Sequence, residues 1–469
     1  MNEVPLKFVE YQKIIEPRSV KGQFRNIKTI ILILAFVTYF LLPWLPWSRD
    51  IGPNQAVIFD LSSHKYYLFN LVLHPQDILS LAILMVFAAA FLFFITTIAG
   101  RVFCGFFCFQ TIWTDAFRLI ERLIQGDRVT RLRLKKQKWN FEKVRKVGLT
   151  TALWLALAFW SGLTFTLYWS EAGQLLVDFF TGQAPLAAYM CTAILTTTTF
   201  LAAGMAKDVI CMHICPYSRF QSAMFDENTA IVSYDKVRGE GENGRAKPLK
   251  TLKTQEDRTK AGVGDCIDCN YCVQVCPMGI DIRDGLQVAC IHCGLCIDAC
   301  DNIMDKQGWA HGLVSFSSEN ALAKKKTSRF GIRTIGYGLA SLIAGAFLVF
   351  SVVNSAKLTV DIAHVRSPLY VVLSDGSIQN SYKFKFYNMT SKPATFDLSV
   401  EGLPNAKVDI GKLKHIELKA SRGLRVSVRV RQASADVKRN ANQPIRFKLT
   451  PIKGEFEEAI IHPSQFITP

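Results

Sequence analysis

The chain has 469 residues, half of them hydrophobic and only 20% charged, with a mean hydropathy of +0.19. That is too apolar and too weakly charged for an ordinary soluble domain, so composition points to a membrane class with room for more than one domain. The formal net charge of +17 leaves nucleic acid as a candidate partner until the charges are located.

Taken in order, the first 26 residues lead into an apolar run at about 27–47, IKTIILILAFVTYFLLPWLPW. It is too long for a signal peptide and lacks a small-residue cleavage pattern, so it is read as a retained anchor. Runs at 77–99, 147–169, 186–206 and 332–353 complete five segments long enough to span a bilayer as helices. Lys21, Arg25 and Lys28 precede the first span, the 100–146 link is strongly basic, and KKKTSR precedes the fifth. The 48–76 and 170–185 links carry almost no Lys or Arg. The positive-inside rule therefore places the N-terminus, the 100–146 link and the 207–331 insert in the cytoplasm, and residues from 354 onward on the opposite face. Trp44, Trp47 and Trp169 at the outer ends suit interfacial anchoring. The basic charge follows membrane topology, the partner it implies is the lipid bilayer, and no nucleic-acid partner is expected.

At the inner end of the second span the chain reads GRVFCGFFCFQTIW, and at the inner end of the fourth DVICMHICPYSRFQ. Cys104 and Cys108, like Cys211 and Cys215, are spaced i, i+4, so in continuous helices each pair shares a face. Buried free cysteines are ordinary packing residues, but two pairs with matching spacing, depth and orientation suggest a shared soft-ligand site for Cu(I), zinc or a further redox centre. Met212 and His213 lie inside the second pair as lesser candidates, and Cys191, mid-span, reads as packing.

The insert carries the densest chemistry, CIDCNYCVQVCPMGIDIRDGLQVACIHCGLCIDACD at 266–301. Cys266-x2-Cys269-x2-Cys272-x3-Cys276-Pro277 and Cys290-x2-Cys293-x2-Cys296-x3-Cys300 have the spacing of a bacterial ferredoxin with two [4Fe-4S] clusters, at about 258–310. The fourth cysteine of each run is expected to serve the other cluster, giving Cys266, Cys269, Cys272 and Cys300 to one and Cys290, Cys293, Cys296 and Cys276 to the other. Zinc uses four ligands in two pairs, which fits three plus one, twice over, poorly. Asp301 stands where the second run would normally have proline, and His292 reads as a cluster neighbour, not a ligand.

From about 357 to 469, segments such as YKFKFYN, TFDLSV, RVSVRVR and IRFKLT alternate polar and apolar residues between turn formers. Such short half-buried strands suit an immunoglobulin-like β-sandwich. This tail has no cysteine, so no disulfide or thiolate site is available there, and it reads as a docking module. The chain carries no dinucleotide-binding glycine fingerprint, P-loop or GxSxG motif, so the electron donor is not visible.

Taken together, GRVFCGFFCFQTIWT, VICMHICPYSRFQSAMFD, the 231–240 stretch and the two ferredoxin runs resemble the cytochrome c oxidase accessory proteins called CcoG, FixG or RdxA. The resemblance implies a bacterial inner-membrane protein that reduces Cu(II) to Cu(I) for the copper centre of a cbb3-type oxidase. Copper chaperones or a transporter and oxidase assembly components would then be its partners. Phe109 follows Cys108 where that family has proline, as this chain does at Pro216. The reading is thus a five-helix membrane domain with a ferredoxin insert and an immunoglobulin-like tail, acting as a cupric reductase with Cys104, Cys108, Cys211 and Cys215 as its copper site. A quinol-linked electron relay and a non-catalytic assembly scaffold are the alternatives.

Overall fold

The computed structural model describes residues 15–468 apart from positions 50–51, 62–64, 75–76, 249–251, 253, 329, 355–356, 391, 412, 434–441, 455 and 457. Residues 1–14 of the N-terminal segment therefore lie outside the described residues, as do parts of the tail. Two compact units emerge: one runs to Pro46 and resumes over Gln55–Phe350, the other comprises Trp47–Asn54 and Ser351–Pro469.

In the first unit, five helices are long and apolar enough to cross a membrane. They are α1 (Gln23–Leu41, extended by one tight turn to Trp44), α2 (Ile78–Ala99), α5 (Phe141–Leu167), α7 (Leu186–Thr199, widening into a π turn to Ala206) and the helix Ile332–Val353. Large apolar side chains such as Ile33, Leu79, Leu155, Ile194 and Phe347 point outward, as a lipid solvent favours. Helices α5 and α7 approach closely: a Cβ on Gly162 would stand 2.9 Å from the Thr192 carbonyl, and the Thr166 and Thr192 hydroxyls meet at 2.9 Å. Small residues and hydroxyl pairs of this kind are what let spanning helices pack in lipid.

The 48–76 link, read as plain connection, contains a three-stranded antiparallel sheet: β1 (Val57–Asp60), β2 (Lys65–Leu68) and β3 (Leu71–Leu73). The basic 100–146 link is likewise built, holding α3 (Phe109–Gln125) and α4 (Arg128–Lys136). Part of its charge is paired internally: Arg118 with Asp208 at 2.5 Å, and Arg131 with Glu16 at 2.8 Å and Glu121 at 3.1 Å.

After α6 (Ala172–Thr181) and α7, the insert begins with a π turn and α8 (Pro216–Met224). The insert is closed at its base by the ribbon of β4 (Ile231–Tyr234) and β5 (Val314–Ser317), registered Ile231 to Ser317 and Tyr234 to Val314. Its helices Tyr271–Val275 and Leu295–Gln307 pack on a continuous core that includes Val232, Val275, Ile280, Leu295 and Leu313. Asp301 lies inside the second helix, 13 residues long, which continues to Gln307 where a proline would have stopped it, as Pro277 does after Cys276.

One long-range contact joins the insert to α1. Gly22 has no side chain to cap that helix, and the Asp298 carboxylate does so instead, accepting from the amides of Phe24 at 3.1 Å and Arg25 at 2.8 Å. A carboxylate there satisfies two orphan donors and faces the positive end of the helix dipole. The cap needs glycine, since a Cβ on Gly22 would lie 2.3 Å from Asp298 Cγ.

The second unit is a sandwich of two antiparallel sheets. One orders β10 (Lys407–Asp409), β12 (Gly423–Gln432), β8 (Ile378–Asn388) and β6 (Leu358–His364), with β7 (Val371–Val372) also on β8; the other orders β11 (Ile416–Leu418), β9 (Ala394–Glu401), β13 (Asn442–Lys453) and β14 (Ile460–Ile467). Strand β8 (Ile378–Asn388) alternates strictly, sending Tyr382, Phe384 and Phe386 into a core shared with Phe396, Phe447 and Phe466. The Tyr382 hydroxyl donates to the Gln465 carbonyl at 2.7 Å, which lets a tyrosine be fully buried.

The Asp298 cap generates a paired test. Asp298→Ala should cost about 1 kcal/mol, the usual value of a helix cap, and Gly22→Ala should lower the thermal midpoint further by displacing the carboxylate. Gly148→Ala, which meets nothing within 4 Å, should not. Equal midpoints for Gly22→Ala and Gly148→Ala in differential scanning calorimetry would refute the cap.

Candidate metal centres

The two ferredoxin runs fold alike. Asp268 and His292, the residues before the second cysteine of each run, have φ of 50° in both cases, and Asn270 and Gly294, the residues after it, have φ of 56° and 73°. Left-handed backbone at matching positions curls each loop around its own thiols, and Asn, Asp and Gly are the residues that enter this region most readily.

Two cavities result. One is lined by Cys272, Cys276, Cys290, Cys293 and Cys296, with Met278, Ile280, Ile282 and Leu295 around them. The other is lined by Cys266, Cys269, Cys272 and Cys300, among Tyr234, Ile267, Ile303, Met304 and Leu313. Burial pushes the Cys272, Cys276 and Cys290 thiols up to about 12, and raises Cys296 and Cys300 as well; neighbouring cysteines raise all five further. Thiols so desolvated become thiolates only when a metal takes the charge. Among the described residues, no three His, Cys, Asp or Glu side chains converge on a single ion. Eight cysteines lining two apolar cavities fit [4Fe-4S] clusters, whose four irons hold their thiolates apart.

His292 lines neither cavity. Its Nδ1 accepts the Arg101 amide at 2.9 Å, and its ring stacks on Phe225 with centroids 5.5 Å apart. Burial first, then the Arg101 charge, pull its pKa down to about 3, so it is a neutral ring that ties the second ligand loop to the end of α2.

The four membrane-boundary cysteines depart from the sequence expectation in one respect. They do not share a continuous α-helical face: the first cysteine of each pair lies inside a π turn, Phe103–Phe107 or Ile210–Ile214, and the second directly follows it. The turns close with wide bonds, from the Cys108 amide to the Phe103 carbonyl at 2.9 Å and from the Cys215 amide to the Ile210 carbonyl at 2.8 Å. The second cysteine of each pair is extended, with φ and ψ of −63° and 130° at Cys108 and −73° and 111° at Cys215, and starts the next helix. Phe109 therefore occupies the same first helical position as Pro216, and the missing proline leaves the turn unchanged.

Cys104, Cys211 and Met212 pack against the ferredoxin core, whereas His213 is exposed. The Cys104 thiol donates to Gln221 Oε1 at 3.2 Å, linking the first pair to α8. Burial pushes Cys104 and Cys211 up to about 12 and raises Cys108, where the Gln110 and Thr111 amides oppose the shift. Each of these three also feels Cys215. Cys191 stays within α7, apart from both groups.

One close approach between the first turn and the second cysteine run is at Gly105. A Cβ there would stand 2.7 Å from the Ile291 carbonyl, 3.1 Å from the His292 carbonyl and 3.0 Å from Cys293 Cα. Sequence reasoning missed this contact, although a glycine inside a Cys-x3-Cys turn is itself a sign of close backbone approach.

Comparison with known proteins decides the family. The chain is 35% identical to nitrogen fixation protein FixG of Rhizobium meliloti, over 96% of this chain and 88% of that one. The chain belongs to the FixG/RdxA family. Proteins RdxA and RdxB of Cereibacter sphaeroides are 39% and 40% identical, over 83% and 82% of this chain and 82% and 81% of their own. Family models match a 4Fe-4S dicluster domain at residues 206–319, a 4Fe-4S binding domain at 81–126 and an IG-like fold at the C-terminal of FixG at 348–469. A FixG-related protein from Vibrio parahaemolyticus, known from its crystal structure, matches 24% of this chain and 97% of its own at 23% identity, with a TM-score of 0.21. This FixG/RdxA member is thus an iron–sulfur oxidoreductase of electron transfer in a multi-pass membrane protein.

Gly105→Ala should press the second ligand loop away from its cavity. Iron per chain is expected to fall toward half in the purified protein, while Gly173→Ala, open to 4 Å, keeps the full complement. Full iron in both variants would refute the contact as a support of that loop.

Proposed function

We propose that this FixG/RdxA protein takes electrons from a reduced carrier and delivers them one at a time to Cu(II), releasing Cu(I) for assembly of the copper centre of a cbb3-type cytochrome c oxidase. In this reading Cys266, Cys269, Cys272 and Cys300 hold one [4Fe-4S] cluster, and Cys290, Cys293, Cys296 and Cys276 the other. Clusters of this kind supply one-electron carriers at low potential. Copper is substrate, and Cys104, Cys108, Cys211 and Cys215 are its site.

The observation that carries the reading is the pair of matching π turns packed on the core of the insert. Both turns present two cysteines, and Cys104 and Cys211 touch that core. Thiolates favour Cu(I) over Cu(II), so the four side chains stabilise the reduced product relative to the oxidised substrate and thereby favour the transfer. Each event converts one Cu(II) to one Cu(I) with one electron, and thiol protons leave as copper binds. The side chains also keep cuprous ion from free solution until a copper chaperone or transporter takes it.

Charge bias along the chain supports an inner-membrane orientation with residues 207–331 in the cytoplasm and 357–469 in the periplasm. Reporter fusions within the insert and at the C-terminus should report opposite compartments, and agreement between them would mean that the spans were miscounted. The sandwich then acts as a docking module for oxidase assembly components.

A quinol-linked relay has one observation in its favour. A cavity at the edge of α5 and the 200–206 turn joins apolar Trp154 and Met205 to polar Glu121, Lys207 and Asp208, and it reaches Met212 beside Cys211. Such an amphiphilic wall suits a quinol headgroup. A third reading, a scaffold, would leave the clusters redox-inert.

Two substitutions separate these readings. Cys108→Ala and Cys215→Ala should each lower copper stoichiometry and Cu(II) reduction by an order of magnitude or more while iron content stays intact. Unchanged copper reduction in both returns the four cysteines to packing. Oxidation of a quinol analogue without copper reduction favours the relay, and absence of both activities favours the scaffold. Cys269→Ser, which trades a thiolate for a hydroxyl, should remove or convert one cluster by iron and sulfide counting with EPR. Tetrahedral zinc in place of iron would end the cluster reading.

A further inference from the structure

Two buried arginines stand in equivalent places, one beside each cysteine run. Arg101 is 2% exposed and donates through Nη1 to the carbonyls of Val288 and, at 3.4 Å, Cys290; through Nη2 it reaches the Ser218 carbonyl and the Ser222 hydroxyl. Arg258 is fully buried and donates to the carbonyls of Gly264 at 2.6 Å, Ala246 at 3.0 Å and Cys266 at 3.2 Å, with its guanidinium over the Trp309 ring at 5.4 Å. Cys266 and Cys290 are the first cysteines of the two runs, so each run has an arginine on the same backbone carbonyl.

Neither cation has a carboxylate in ion-pair contact among the described residues, and each keeps one buried nitrogen without a partner, Nε of Arg101 and Nη1 of Arg258. A guanidinium stays charged, and burying it without a counter-charge costs several kcal/mol on the usual scale. Carbonyls and hydroxyls solvate it but do not neutralise it. The groups within electrostatic reach of Arg101 are the Cys104, Cys290, Cys211 and Cys215 thiols; for Arg258 they are Asp265 and Cys266. Burial holds the Cys104, Cys211 and Cys290 thiols neutral until a metal takes their charge.

We infer that Arg101 and Arg258 are a matched pair of positioning residues whose fixed charges are balanced by the loaded thiolate centres, each raising the reduction potential of the cluster whose first cysteine it holds. The inference rests on the reading that the eight cysteines carry two clusters. Adding an electron to a cluster adds negative charge, so a nearby buried cation favours the reduced form, and its effect is poorly screened. Arg258 has Asp265 to offset part of its charge. Arg101 has no such neighbour and stands beside the boundary cysteines as well, so its cluster is held at the higher potential, next to the proposed copper site.

The test is a potentiometric EPR titration of the full-length protein in detergent, with iron and sulfide counted in every sample. In Arg101→Gln, the reduced-to-oxidised ratio of one cluster at fixed poise should fall by about tenfold, ~59 mV for a one-electron couple. The other cluster should not move. In Arg258→Gln the other cluster should move instead, and by less. Arg101→Lys and Arg258→Lys keep the charge and should stay close to the parent potentials. Full iron with both potentials unmoved in the glutamine variants would overturn the inference. So would loss of iron in lysine and glutamine variants alike, which would reduce the arginines to tethers. A parent protein without two cluster signals would instead sink the cluster assignment itself, before any variant is compared.

Discussion

The architecture depends on the seam where the Gly105 backbone lies against Ile291, His292 and Cys293. It is a contact between backbones, so no side-chain rearrangement can widen or narrow it, and it sets the second cysteine run directly against the first boundary turn. Neighbouring features serve the same closeness. Gly100 adopts φ of 59° where a Cβ would meet the His292 ring at 2.5 Å, and the Arg101 amide donates into that ring at 2.9 Å. Asp298, on the helix that begins two residues after Cys293, caps α1. A soluble ferredoxin has no need of these contacts. Here they fix the insert to the helices that carry the other thiols.

Charge is what makes the seam more than packing. Cysteines on both sides of it are buried enough that their thiols resist ionisation, Cys104 and Cys290 both being pushed up to about 12. Without metal, the region holds neutral thiols around an unneutralised Arg101. With a cluster on the second run, Cys290 is a thiolate beside that cation. Cluster loading at Cys290 therefore eases the cost of burying the Arg101 charge.

Much of this was legible in the sequence. The five spans follow from uninterrupted apolar length, and the two ferredoxin runs from a cysteine spacing that few other chemistries require. The sandwich follows from strands such as 378–388 that alternate without a break. The sheet at 57–73 was not, because strands of three and four residues carry too little alternation to stand out. The boundary pairs were found, but their i, i+4 spacing was read as a helical face. A π turn uses the same spacing and then releases the second cysteine into extended backbone, a change that depends on wide hydrogen bonds and leaves no compositional trace. Asp298 capping α1 and Arg101 reaching Ser218 join positions more than a hundred residues apart. No local pattern announces a partner at that range.

Phe109 shows how little of the boundary turn resides in its most recognisable residue. Proline at the first position of a helix holds the preceding residue extended and gives up an amide that would have no partner. Cys215 before Pro216 has that support; Cys108 before Phe109 does not, yet the two backbones agree within about twenty degrees in φ and ψ. What holds Cys108 must therefore be the rest of the turn: its wide bond to Phe103, the bond its own carbonyl accepts from the Ile112 amide at 3.0 Å, and the Thr111 hydroxyl on the Cys104 carbonyl at 2.6 Å. With the turn held by its own backbone, the position after the cysteine is free to vary, and here it places a phenylalanine that is 74% exposed. The turn keeps its geometry while the adjoining side chain stands clear of the core.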